Sequence, residues 1–164
     1  MKYRKCMIYL NLTKIMKSNV LTELQEGDEL RMGEALWSPA ENYYIKIEDN
    51  GDLTMKEKDG KRIWHSNTAN KGQSPYSLRM QSDHNLVLYA GSGGDKKAIW
   101  ASGSHVLISC THMGTCWNDE AIAYLTDGGN FVIESGQHTI WAILQVGEFK
   151  IDWKTDGMIL SRVP

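Results

Sequence analysis

The stretch "QSDHNLVLY", residues 81–89, sets Gln81, Asp83, Asn85, Val87 and Tyr89 at every second position. Read as one extended strand, these five side chains share a face, while His84, Leu86 and Leu88 point the other way. That face is roughly 13 Å long by strand rise. It offers two amides, a carboxylate, a phenol and one branched apolar group. Asp and Asn are depleted in strands, so an ordinary solvated face would carry Thr, Lys or Glu instead. A sugar needs both donors and acceptors for its vicinal hydroxyls, and its ring presents C–H surface to an apolar contact, so the set suits such a ligand. The single carboxylate can accept from two hydroxyls through charge-assisted hydrogen bonds.

Other chemistries fit less well. A glycosidase needs paired carboxylates flanking the sugar, and this face has one. Alternation separates His84 from Asp83, and no nucleophile elbow follows a strand. "AGSGGDKK" (90–97) lies between two strands rather than at the start of a helix, which makes it a hairpin loop and not a phosphate cradle. The expectation is no catalytic residue, no metal and no cofactor. A zinc site is conceivable in "HVLISCTHMGTC", with His105, Cys110, His112 and Cys116, but the spacing is not that of a common zinc motif. A Cys110–Cys116 disulfide or free thiols is the preferred reading, and it leaves Cys6 over.

The elements that must carry the motif emerge from self-comparison. "KRIWHSNT" (61–68), "KAIWASGS" (97–104) and "HTIWAILQ" (138–145) each contain an Ile-Trp pair, with Trp64, Trp100 and Trp141 spaced by 36 and 41 residues. Each pair is preceded by a turn-and-strand phrase: "EDNGDLTMK" (48–56), "QSDHNLVLY" (81–89) and "TDGGNFVIE" (126–134). Short alternating runs and Gly-containing turns fill the units, and no helical stripe of three turns is present, so the fold class is all-β. Small sheets must bury one face against one another, which gives a three-sided prism with the three tryptophans near its shared centre. Leu36-Trp37 reads as a partial fourth member of the set.

The chain has 164 residues, enough for one domain, with a hydrophobic fraction of 41% and a charged fraction of 23%. A net charge of -2 and a pI near 6.2 disfavour nucleic acid and anionic membranes as partners. No apolar run approaches a membrane span. Residues 1–18 begin with Lys2, Arg4 and Lys5 like a signal peptide, but Asn11, Thr13 and Lys14 break the apolar run; they read as a poorly ordered extension. Asn11-Leu12-Thr13 is a glycosylation sequon that matters only after secretion.

The five motif residues, the Trp-terminated repeats, "GDELRMGEALWS" and "LTDGGNFVIE" together resemble the bulb-type lectins, also called monocot mannose-binding or snowdrop-type lectins. The chain looks particularly like the lily-type lectins of fish skin mucus. The resemblance covers about residues 19–143 and implies a β-prism II of three four-stranded antiparallel sheets with pseudo-threefold symmetry. It further implies Ca²⁺-independent binding of α-D-mannose or high-mannose glycans on glycoproteins or microbial surfaces, for defence. Gln81, Asp83 and Asn85 would bond ring hydroxyls, Tyr89 a further hydroxyl, and Val87 would touch the carbon face.

The other units depart from the motif. The first has Glu48, Asn50, Asp52, Thr54 and Lys56; the third has Thr126, Gly128, Asn130, Val132 and Glu134. One competent site is therefore expected, and a single shallow site of about millimolar affinity calls for a homodimer or higher homo-oligomer. The expected organisation is an extension at 1–18, the lectin domain at 19–146 and a C-terminal strand at 147–164, exchanged between subunits or closing its own prism. Family resemblance favours secretion; the weak amino terminus leaves a cytoplasmic location open. The rival function is a prism domain that binds protein instead of sugar.

Overall fold

The computed structural model describes residues 20–105, 120–136, 138–143, 149–152 and 159–162. The extension at 1–18, the sequon and all three cysteines lie outside them.

Three short strands come first: β1 (Glu23–Gln25), β2 (Glu29–Arg31) and β3 (Ala35–Trp37). Three meanders follow, one per sequence repeat. They are β4 (Tyr43–Ile47), β5 (Leu53–Glu57) and β6 (Arg62–His65); β7 (Tyr76–Met80), β8 (Leu86–Ala90) and β9 (Lys97–Ala101); and β10 (Ala121–Leu125), β11 (Phe131–Ser135) and β12 (His138–Ala142). Each meander forms three strands of a four-stranded antiparallel sheet, and the fourth strand comes from the amino-terminal segment. β3 joins the first sheet, β2 the second and β1 the third. This is the expected all-β architecture of three four-stranded sheets. Among the described residues the sole helical turn is the 3-10 turn Gly93–Asp95, and no helix is long and apolar enough to cross a membrane. β13 (Phe149–Asp152) and β14 (Ile159–Arg162) pair with each other in a separate two-stranded sheet.

The core follows period two. Leu24, Leu30 and Leu36, one per amino-terminal strand and six residues apart, are fully buried, as are Leu78, Met80, Leu86 and Leu88 from the second sheet. An Ile-Trp pair in a regular strand would put one side chain outward. In all three sheets the register slips at that point, so that Ile63, Ile99 and Ile140 each have no partner on the central strand. A bulge of this kind turns two successive side chains toward one face. Both members of every pair therefore pack against the core. Trp100 makes edge contacts with Trp64 at 5.9 Å and with Trp141 at 5.8 Å, which places the three repeat tryptophans together as the repeats implied. Trp37 does not join them: it lies against Tyr44, 4.7 Å between ring centroids, so the partial fourth repeat contributes Leu36 to the core and nothing to the tryptophan cluster.

A turn recurs ahead of each central strand. Gly51, His84 and Gly129 occupy the same place in it, with φ of 83, 69 and 78. At Gly51 an added Cβ would lie 2.4 Å from the Tyr76 ring, and Tyr76 is itself buried with its hydroxyl donating to the Gly72 carbonyl. Gly51→Ala is expected to destabilise the domain by about 2–3 kcal/mol, combining left-handed strain with overpacking. A thermal melt of the variant reads this directly, and an unchanged midpoint would refute it.

Candidate functional site

The motif is not one extended strand. Residues 81–85 form a turn and regular pairing begins at Leu86. The Gln81 amide donates to the Asn85 carbonyl at 3.0 Å and the His84 amide to the Gln81 carbonyl at 3.1 Å. The same two bonds recur as Glu48 to Asp52 and Gly51 to Glu48, and as Thr126 to Asn130 and Gly129 to Thr126. This aligns the three motif positions as the sequence did, but on a turn. The cause is local: Asp83 Oδ1 accepts the Asn85 N–H at 3.0 Å, an Asx turn that competes with strand pairing. His84 then points inward because of its left-handed backbone, not by alternation. It is buried, and its Nε2 lies 3.2 Å from Glu26 Oε1, which also accepts the Ala121 amide.

The turn still assembles most of the polar set. Gln81 Nε2 donates to the Tyr89 hydroxyl at 2.5 Å, which ties the first and last motif residues together. The Tyr89 ring is covered by Lys96, whose Nζ stands 4.7 Å from the ring centroid and 2.8 Å from Glu29 Oε1. Lys96, with Ser77, holds the Glu29 carboxyl below its ordinary range. Asn85 Oδ1 accepts from Ser102 Oγ at 3.0 Å and from the Gly103 amide at 3.1 Å. Asp83 is exposed, and Gln81, Asn85 and Tyr89 are half-buried. Val87 is the exception, with only 4% of its surface exposed. Its equivalents Thr54 and Val132 are likewise buried at 2% and 6%, so this motif position packs the middle of the outer sheet face in every unit. An open depression of about 560 Å³ adjoins the motif and is lined by Gln81, Asp83, Arg79 and Glu26 among others.

Sequence reasoning missed Ser102, Ser104, Gly103 and Lys96. A signal for the serines was present: "WHSNT" and "WASGS" place a hydroxyl two and four residues after the tryptophan in the first and second units, and "WAILQ" does not in the third.

The other two units hold different chemistry at the same positions. In the first, Glu48 bonds Lys56 at 2.5 Å, Lys46 at 2.9 Å and Thr54 Oγ1 at 2.8 Å, beside a depression of about 490 Å³ that Arg62 also lines. Burial pushes the Glu48 carboxyl up, but the hydrogen bonds from Lys56, Lys46 and Thr54 outweigh it and bring the pKa down to about 2. A carboxyl depressed this way stabilises fully above its unfolded pKa near 4.5 and loses the contribution as pH falls through about 2. Glu48→Gln is expected to cost on the order of 2 kcal/mol at neutral pH after allowance for solvent screening of the half-exposed lysines. Urea unfolding as a function of pH should show parent and variant converging between about 4.5 and 2; a constant gap would contradict it. In the third unit Glu134 replaces the phenol and accepts from Thr139 Oγ1 at 3.2 Å; burial and this carboxylate push the Tyr124 hydroxyl up to about 12.

A three-sided prism of four-stranded sheets, with an open polar motif on one face, defines a binding module of the β-prism II class. The chain is 30% identical over 118 residues to the B-type lectin plumieribetin of the fish Scorpaena plumieri, spanning 72% of this chain and 90% of that protein. A monomeric monocot mannose-binding lectin from Gastrodia elata matches with a TM-score of 0.61 at 29% identity, over 77% of this chain and 99% of the other. The mannose-specific agglutinin of snowdrop (Galanthus nivalis) bulbs, solved with methyl-α-D-mannoside, matches at 0.56 and 26% identity, over 76% and 96%. No protein-family model matches the chain. The chain belongs to the bulb-type, or B-type, lectin family, and is a carbohydrate-binding protein rather than an enzyme.

Proposed function

We propose that the chain binds terminal α-D-mannose and high-mannose glycans through Gln81, Asp83, Asn85 and Tyr89, without a metal ion. The observation that carries this reading is the polarity of the four groups. Tyr89 accepts from Gln81, which frees the phenolic proton to donate and Gln81 Oε1 to accept. Asn85 Oδ1 is taken by Ser102 and Gly103, which leaves its NH₂ as the donor. Asp83 spends Oδ1 on its own turn and keeps Oδ2 as a charged acceptor. Two donors and two acceptors on one face suit neighbouring hydroxyls that each give and take a proton. Val87 adds only the remnant of its surface that is not packed.

The first and third units lack this assortment, so the reading has one competent mannose site. A shallow monosaccharide site gives about millimolar affinity, and avidity then requires several copies on one particle. The accompanying proposal is a homodimer or higher homo-oligomer that recognises mannose-bearing microbial surfaces in defence.

Titration with methyl α-mannoside, methyl α-galactoside and a branched oligomannoside, with and without EDTA, tests the site. Saturable mannoside binding that ignores EDTA supports it. A folded protein that binds none of these sugars would sink the mannose reading and favour a protein-binding prism. Sedimentation velocity tests the oligomer, and a monomer at working concentration would overturn that part.

A further inference from the structure

We propose that Ser102 and Ser104 are positioning residues that fix the polarity of the motif asparagine. They force Asn85 to present its NH₂ outward, so the ligand must place an acceptor oxygen there; the identity of that ligand as mannose rests on the function proposed above.

The loop after β9 grips the motif turn at several points. Ser102 Oγ accepts the Leu86 amide at 3.0 Å and donates its one proton to Asn85 Oδ1. Ser104 Oγ donates its own proton to the His84 carbonyl at 2.6 Å and so anchors the turn; its oxygen also stands 2.6 Å from Ser102 Oγ, within reach of the same Ser102 proton. The Gly103 amide supplies a second donor to the same Asn85 oxygen. With two donors converging on one site, the side-chain carbonyl must face inward. A reversed amide would set NH₂ against the Gly103 N–H, donor facing donor.

The first unit repeats the arrangement. Ser66 Oγ accepts the Leu53 amide at 3.1 Å and donates to Asp52 Oδ1 at 3.1 Å; Thr68 Oγ1 lies 2.6 Å from Ser66 Oγ and donates to the Gly51 carbonyl at 2.8 Å. Each partner falls on the aligned position, Asp52 for Asn85 and Gly51 for His84. Here the gripped residue is a carboxylate, and its other oxygen is held by His65 Nδ1 at 2.9 Å. The brace is thus a property of the repeat, and an amide gripped in it is what turns the second unit into a donor. In the third unit Ile143 stands where Ser102 does.

The test pairs two readouts on the full chain: the Asn85 side-chain NH₂ resonances, assigned by their loss in Asn85→Asp, and binding of methyl α-mannoside. Variants are Ser102→Ala, the near-isosteric pair Ser104→Thr and Ser104→Val, and, as a control, Lys58→Ala in an exposed turn of the first sheet. Ser102→Ala and Ser104→Val are expected to shift the Asn85 NH₂ signals and to weaken mannoside binding about tenfold. Ser104→Thr, which copies Thr68, and Lys58→Ala should stay within about twofold of the parent. Adding Ser102→Ala to Asn85→Ala should cost much less in binding than Ser102→Ala costs in the parent, because the brace reaches the ligand chiefly through the amide. Unmoved Asn85 signals in folded Ser102→Ala and Ser104→Val, or a Ser102→Ala effect that adds in full to that of Asn85→Ala, would overturn the proposal. If the parent binds no mannoside while the Asn85 signals respond as stated, the mannose reading fails and the brace stands.

Discussion

An Asp83→Asn variant is expected to bind methyl α-mannoside about 10- to 100-fold more weakly than the parent while unfolding at the same temperature. The two halves of this expectation come from the two oxygens of one side chain. Oδ1 accepts the Asn85 N–H at 3.0 Å and shapes the turn; an asparagine keeps an oxygen in that place. Oδ2 has the ligand role, and there asparagine substitutes an NH₂ donor for a charged acceptor. Because Asp83 is exposed, no buried partner is stranded by the change. Loss of charge-assisted hydrogen bonds of about 1.5–3 kcal/mol accounts for the range. Binding to a mannan-coated surface, with inhibition by the free mannoside, keeps a weak variant measurable. Equal affinity for parent and variant would remove Asp83 from the site, and a lowered melting temperature would mean that the turn, not the ligand contact, had been disturbed.

Trp100→Ala is expected to cost about 3 kcal/mol or more, against about 1 kcal/mol for Trp37→Ala. Both residues lie on edge strands of their sheets, yet their surroundings differ. Trp100 lies between the tryptophans of the other two sheets, so its removal breaks two edge-to-face contacts and leaves a void where three sheets meet. Among the described residues, Trp141 would also lose its contact with Trp100 and keep that with Phe131, at 6.1 Å. Trp37 touches Tyr44 within a single sheet, and solvent can take its place. Urea midpoints of the two variants separate these cases, and equal destabilisation would mean that the cluster does not join the sheets.

Three repeats, an all-β fold and the inward set Leu86 and Leu88 are legible from period-two patterning and the recurring Ile-Trp pairs. The five candidate residues are also legible as types at a spacing. What the pattern could not reveal is their local conformation. An alternating run from Gln81 to Tyr89 is compatible with a strand throughout, and the residue that breaks it, His84, carries none of the glycine signal found at Gly51 and Gly129. Its left-handed backbone costs about 1 kcal/mol relative to glycine and is held in place by the distant Glu26 carboxylate.

The same limit explains the remaining differences. β1, β2 and β3 are three residues each, too short for a period to declare itself, and their six-residue spacing of Leu24, Leu30 and Leu36 gains meaning only when each strand is seen in a different sheet. Neighbouring Ile and Trp look incompatible with one buried face until a bulge turns both inward. The amide orientation of Asn85 depends on Ser102 and Gly103, 17 and 18 residues away. Sequence by itself determined which faces could be buried and which side chains could meet a sugar, because those follow from residue type and local period. Tertiary structure alone decided which atoms of those side chains are left free to bind, because that depends on hydrogen bonds between segments that only the closed prism brings together.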